Sequence, residues 1–324
     1  MDFTWQDGER TIRFGRGAVA DASDLLDGPY TLLTTERAQE AAPAIVQGAQ
    51  AVHLVDPGFV DKLAANLLHV DGDLIVGLGG GRVIDTAKAI VGTRDDARAA
   101  AIPTTLSAAE MTSGHRRPAG HEHRARQVRP AIVINDPNLS ASQPVSELAA
   151  SSANALSHAV EAAITIFASP VPSLAAREAM RLIDVAWLVE DEDPGHIGRE
   201  QLALASLLSG YAIDGAKYGL AHVLSQTLVR VAGTGHGQAN AAVLPAAIGA
   251  LERRNPRRVD PDGSLAALAR KLARRAGADG IHRLGVTEAD LDAAADAAAR
   301  RPDLAYTPPA ADRDELRALY AEAY

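Results

Sequence analysis

GLGGGRVIDTAKAI, residues 77–90, joins an apolar run to a helical pattern through three consecutive glycines. The residues before and into it, DLIVGLGG (73–80), read as a buried strand, and VIDTAKAIVGT carries apolar residues at helical spacing. A strand that turns straight into a helix through Gly79, Gly80 and Gly81 lets backbone N–H groups approach an anion. The helix N-terminus adds the positive end of its dipole. The arrangement suits a pyrophosphate, although the spacing is not G-x-G-x-x-G. On spacing alone a tight strand-to-helix turn that binds nothing stays open, with Arg82 either reaching a phosphate or solvated.

Outward from this turn, TLLTTE (31–36), AVHLVD (51–56), AAAIPTT (99–105) and AIVIND (131–136) also read as strands. AAPAIVQGAQ and FVDKLAANLLHV supply helices between them. Strand–helix alternation predicts an α/β fold with a mostly parallel sheet covered on both faces. From residue 144 onward no strand is expected. SELAASSANALSHAVEAAITIFA (146–168), SLAAREAMRLIDVAWLVED (173–191), EQLALASLLSGYAIDG (200–215) and LAALARKLARRAG (265–277) are all helical in pattern. The expectation is a Rossmann-like dinucleotide-binding domain over residues 1–143, followed by an all-helical domain over residues 144–324 that carries the substrate or metal site.

Composition narrows the chemistry. With 324 residues, 47% of them hydrophobic, the chain can bury two cores. A formal charge of −9 argues against nucleic acid as the main partner, and the absence of cysteine excludes disulfides, zinc–thiolate sites and a catalytic thiol. The opening MDFTWQDGERTIRFGRG lacks a basic-then-apolar leader, and no apolar run reaches about 18 residues. These features predict a cytoplasmic protein with no membrane partner.

Four stretches, taken together and in order, resemble the iron-containing alcohol dehydrogenase superfamily, which also holds the dehydroquinate synthase fold. GGGRVIDTAK (79–88) is similar to that family's GGGS-x-x-D-x-AK motif, with Arg82 in place of Ser. IPTTLSAAEMT (102–112) is similar to the segment beside the nicotinamide, and NALSHAVEA (154–162) to a D-A-x-x-H-x-(I/V)-E-A motif. GLAHVLSQTL with GHGQANAAVLP repeats the family's interval between its last two metal-ligand histidines, here His222 and His236. Asn154 in the Asp position, the PTT segment and the Pro-rich C-terminal ending resemble the maleylacetate reductase branch. Gln226 stands where that family has a second histidine, and the chain is shorter than a typical member.

The resemblance implies a nicotinamide cofactor held by Gly79, Gly80, Gly81, Asp85, Thr104 and Thr105, with His158, His222 and His236 as catalytic groups. It also implies that Asn154, His158, His222 and His236 form the metal set, if a metal binds. Asn154 and His158 are four apart and share a helix face, as do His222 and Gln226. Asp at 154 would complete a plausible Fe²⁺ or Zn²⁺ set, whereas Asn leaves it neutral and supplies a weaker ligand. The expectation is a metal-site scaffold that works without an obligatory metal.

Glu36 ends the strand 31–36, where an acidic group accepts from a ribose 2′-hydroxyl and repels a 2′-phosphate, favouring NAD(H) over NADP(H). Arg37 beside it could instead pair with a phosphate, and Thr34 and Thr35 either face the adenine or end the strand and cap a helix. GHRRPAGHEHRARQVRP (114–130) is densely basic; Arg116 or Arg117 could hold a substrate carboxylate, or the segment could be a solvated hairpin. The expected activity is an NAD(P)H-dependent reductase of small unsaturated or keto acids, acting as a homodimer. The alternatives are a dehydroquinate synthase-like lyase or cyclase, or another alcohol or aldehyde oxidoreductase of the superfamily.

Overall fold

The computed structural model describes residues 1–188, 198–256, 258–259 and 263–324, and the chain divides into units Met1–Ser142 and Gln143–Tyr324. The first unit holds seven strands: β1 (Phe3–Asp7), β2 (Arg10–Phe14), β3 (Thr31–Thr34), β4 (Ala51–Leu54), β5 (Leu74–Gly79), β6 (Arg98–Pro103) and β7 (Ile132–Asn135). They form one sheet in the order β1-β2-β7-β6-β5-β3-β4. Every pairing is parallel except β1 with β2. The helices of this unit are α1 (Ala22–Leu25), α2 (Glu36–Ala41), α3 (Pro43–Gly48), α4 (Val60–Asn66), α5 (Gly81–Val91) and α6 (Pro137–Ser140).

Side chains alternate across each strand, so β5 serves two cores. Leu74, Val76 and Leu78 pack with Ala38 and Ile45 from α2 and α3, while Ile75 joins Ala64, Val83 and Ile90 from α4 and α5. Burial on both faces explains why β5 reads as a continuous apolar run. The β1–β2 hairpin was not anticipated in the reading of the first residues. Its signal is the turn after Asp7, where Gly8 adopts φ 61°, followed by the alternation that buries Ile12 and Phe14. Phe3 stacks on Phe14 with ring centroids 5.2 Å apart.

The second unit contains α7 (Val145–Ala162), α8 (Pro170–Ala186), α9 (Arg199–Ala216), α10 (Leu220–Ala232), α11 (His236–Arg254), α12 (Ser264–Arg275), α13 (Asp290–Ala298) and α14 (Arg313–Glu322), with no strand among the described residues. Helix α7 is buried without interruption from Leu148 to Ala162. Its many Ala and Ser side chains suit that position, because small residues let neighbouring helices approach closely. Helicity expected through residue 168 stops at Ala162. There tertiary partners capture the chain: Thr165 Oγ1 donates to the Ala216 carbonyl at 2.5 Å and the Ile166 N–H to that of Tyr306 at 2.9 Å. The last residues of the expected helix 173–191, from Val189 on, lie outside the described residues. No helix among the described residues is long and apolar enough to cross a membrane.

Candidate functional site

The candidate residues fall into two groups, one in each unit. In the first, β5 runs into α5 with Gly80 as its N-cap, so the N–H groups of the first turn have no acceptor inside the helix. From β3 the chain crosses to β4 on one side, and from β5 to β6 on the other. The carboxyl ends of β3 and β5 therefore flank the reversal of strand order, the position where open α/β sheets bind ligands. Glu36 is the exposed first residue of α2, directly beyond β3, and Thr35 caps that helix by accepting from the Ala38 N–H at 3.3 Å. Thr34 is buried at the strand end.

The glycines differ in what they would tolerate. A Cβ at Gly79 would lie 2.7 Å from Val83 Cγ2, and one at Gly81 would lie 2.9 Å from Ser107 Cβ. Strand–helix packing accounts for the first, and packing of α5 against the loop after β6 for the second. At Gly80 the nearest atom would be Thr105 Cγ2 at 3.1 Å, a contact that a small shift relieves. Thr105 thus sits beside the turn, and Thr104 joins it through its N–H to the Gly79 carbonyl at 2.9 Å.

Asp85 is half-buried and engaged within the protein. Its Oδ1 accepts from Lys88 Nζ at 2.8 Å. Lys88 is fully buried and gives its other protons to the carbonyls of Ala109 and Gly114, both at 3.0 Å. This clamp fixes the 104–114 segment beside the glycine turn. Glu110 lies within that segment, fully buried, with neither carboxyl oxygen hydrogen-bonded among the described residues. Burial pushes its pKa up to about 7, against the weaker opposing pull of Lys88 and Arg10. Arg116 pairs with Asp61 at 3.6 Å and lies 5.1 Å over the Phe59 ring. Arg117 donates to the Glu122 carbonyl at 2.9 Å. Arg82 is exposed at the start of α5.

In the second unit α7, α10 and α11 bring the remaining candidates together. The rings of His158 and His222 stack with centroids 4.8 Å apart and planes 7° off parallel, and Tyr218 stacks on His222 at 4.7 Å. Glu161, one turn past His158, is fully buried. Its Oε1 accepts from the N–H groups of Gly219 at 3.1 Å and Ala221 at 2.8 Å, at the start of α10. Its Oε2 lies 2.5 Å from His222 Nδ1. An ionised carboxylate satisfied by two backbone donors makes Nδ1 the donor, so the lone pair of neutral His222 resides on Nε2. That atom is buried and has no hydrogen-bond partner among the described residues. His158 is held well below the ordinary imidazole range by burial, then by the neighbouring His222 and His236.

Asn240 completes the group from α11. Its Nδ2 donates to Asn154 Oδ1 at 2.7 Å and lies 3.2 Å from His236 Nε2. Among these residues, the only carboxylate beside the histidines is that of Glu161, which accepts from Gly219, Ala221 and His222. Among the described residues, no group of three or more His, Asp or Glu side chains is placed to hold a metal ion. Glu161, Tyr218 and Asn240 were not anticipated as site residues. Glu161 sits inside NALSHAVEA three residues after His158, and Asn240 follows His236 by four, so helical spacing was the available signal.

Two family models divide the chain between them. One, described as Fe-containing alcohol dehydrogenase family, C-terminal, matches residues 148–324; the other, iron-containing alcohol dehydrogenase, matches residues 33–144. The chain is 30% identical over 267 residues to maleylacetate reductase of Sphingobium indicum, covering 76% of this chain and 75% of that one. It is 29% identical over 327 residues to maleylacetate reductase of Pseudomonas aeruginosa, covering 92% and 90%. The crystal structure of maleylacetate reductase from Agrobacterium tumefaciens superposes with a TM-score of 0.84 at 27% identity, covering 99% of this chain and 97% of that one.

Proposed function

Because the chain belongs to the iron-containing alcohol dehydrogenase family and is an NAD(P)-dependent oxidoreductase, we propose that it reduces a short unsaturated keto-dicarboxylate of the maleylacetate type with NADH. The observation that carries this reading is the Glu161–His222 pair, which leaves Nε2 as the atom through which a proton enters or leaves. When bound, the nicotinamide would supply hydride to the substrate, which leaves negative charge on the substrate oxygen or its conjugated carbon. A proton from His222 Nε2 neutralises that charge, and the Glu161 carboxylate stabilises the imidazolium that must form before donation. His158 stays neutral beside it, so the stacked pair does not accumulate two positive charges.

The glycine turn, Thr104 and Thr105 receive the pyrophosphate side of the cofactor, and Glu36 takes the ribose hydroxyl, which favours NADH over NADPH. Asp85 acts through Lys88 rather than by touching the cofactor. No step requires a metal. Asn154 supplies a neutral oxygen already bonded to Asn240, and such a set offsets little of a dication's charge. The same reading takes the enzyme as a cytoplasmic homodimer acting on a small molecule.

Steady-state NADH oxidation with maleylacetate, before and after exhaustive chelation, tests the proposal. Turnover that survives chelation is expected. No NADH consumption with maleylacetate would remove the substrate assignment. Activity abolished by chelator and restored by Fe²⁺ or Zn²⁺ would show that a site containing Asn154 suffices for metal catalysis.

A further inference from the structure

A dicarboxylate needs a cation, and the two arginines singled out in the sequence are engaged elsewhere: Arg116 with Asp61 and Phe59, Arg117 with the Glu122 carbonyl. The second unit contains a different one. Gln226 lies one turn beyond His222 on α10, and its Oε1 accepts from Arg301 Nη2 at 3.0 Å. Arg301 gives Nε and Nη2 to a single oxygen of Asp303, at 3.1 and 2.8 Å. Its third nitrogen, Nη1, is buried with no hydrogen-bond partner among the described residues. The chain from Arg301 runs beside α10. Thr307 Oγ1 accepts from the Leu220 N–H at 3.2 Å, so contacts at 220 and 226 bracket His222.

One edge of the guanidinium is thus fixed and another is unfilled. Gln226 orients it with a neutral acceptor, where a protonated histidine at the same position would repel it. Asp303 takes two N–H groups through one oxygen and leaves the Nη1 pair without an acceptor. A planar fork held in this way matches a carboxylate, and a buried donor left unfilled is costly. Side chains four apart on a helix are separated by about one turn, roughly 5.4 Å, a distance that a short dicarboxylate can span.

We propose that Arg301, oriented by Gln226, binds the substrate carboxylate remote from the carbon that accepts hydride. The assignment rests on the reductase reading for its substrate and makes Arg301 a specificity-determining residue, with Gln226 as its positioning residue. A monoanionic or uncharged carbonyl compound lacks the group that Arg301 recognises and is a poorer substrate through KM.

Calorimetric titration of maleate into the NAD⁺-loaded protein tests this without turnover. Arg301→Gln is expected to weaken maleate binding at least ~10-fold, the scale of a lost charge-assisted pair. Arg301→Lys should recover part of it, and Arg116→Gln should match the wild type. Equal affinity in Arg301→Gln and wild type, or no maleate binding by the wild type at millimolar concentrations, would overturn the assignment. Should Arg301→Gln fail to fold, Gln226→Leu replaces it: a several-fold loss supports the anchor and unchanged affinity overturns it. In turnover with maleylacetate, the Arg301→Gln defect should appear in KM with kcat nearly kept. A wild type that binds maleate through Arg301 yet oxidises no NADH would sink the reductase reading and leave the anchor standing.

Discussion

At the head of α5 the surface offered to a ligand is backbone, whereas around His222 it is side chains delivered by three helices. The first is continuous in sequence, from Leu74 through the glycines to Val91, and its shape follows from what cannot fit there. The second joins residues 154–161 of α7, 218–222 before and within α10, and 236–240 of α11, and depends on hydrogen bonds across them. A backbone site resists substitution by steric exclusion. A side-chain site fails when a supporting partner is removed, even where the chemical group itself remains. The two should therefore break in different ways.

The largest effect is expected in the second site. His222→Ala should lower turnover by ~10²–10⁴, the range for a lost general acid, with the melting temperature nearly unchanged. Comparable activity in that variant would make the histidine structural and the comparison empty. Next comes Glu110, the buried acid of the first unit. Its folded pKa of about 7 lies above the ordinary 4.5, so the unfolded chain releases its proton first as pH rises. Stability is unaffected by this group below about 4.5, falls between there and about 7, and stays reduced above. Glu110→Gln should remove that slope and stabilise the protein at pH 8 by up to about 3 kcal/mol. Urea denaturation at pH 4.5 and pH 8 checks it, and an unchanged pH slope would show that the carboxyl is hydrated in solution.

Smaller changes sharpen the backbone site. Gly80→Asp should weaken NADH binding by ~10–100-fold in a fluorescence titration, because it sets a negative charge beside the pyrophosphate where only Thr105 must yield. Gly79→Ala should instead destabilise the fold, since its Cβ would meet Val83 at 2.7 Å. If both variants lose only stability, the turn packs and does not bind. The smallest effect belongs to Glu36→Ser. It should narrow the preference for NADH over NADPH by ~10-fold, the scale of one charge contact near a phosphate. A wild type that already prefers NADPH would transfer the role to Arg37 or Arg82.

What could be read in advance follows the same division. Strands β3 to β7 and the α5 turn were visible because short apolar runs and glycine placement are local signals. The β1–β2 hairpin escaped because five-residue strands with polar outer faces resemble a polar terminus. His158, His222 and His236 could be grouped only through the motif resemblance, as nothing local says that α7, α10 and α11 converge. Glu161 was invisible as a partner of His222 for the same reason: 61 residues separate them, and only tertiary packing makes a helix-capping carboxylate also fix a tautomer. Gln226 was noticed as a departure from a pattern, but its partner Arg301 lies 75 residues away, and nothing local pairs the two.

The burial of Lys88 has a consequence for chemical labelling. The chain has four lysines, of which Lys62 and Lys217 are exposed, Lys271 is half-buried and Lys88 is completely enclosed. With every ammonium proton committed to Asp85, Ala109 and Gly114, an acylating reagent reaches Lys88 only when the 104–114 segment lifts away. The rate at which this one amine is modified, relative to Lys62, is therefore a built-in clock for opening of the 104–114 loop. A bound dinucleotide that rests on that loop should slow it.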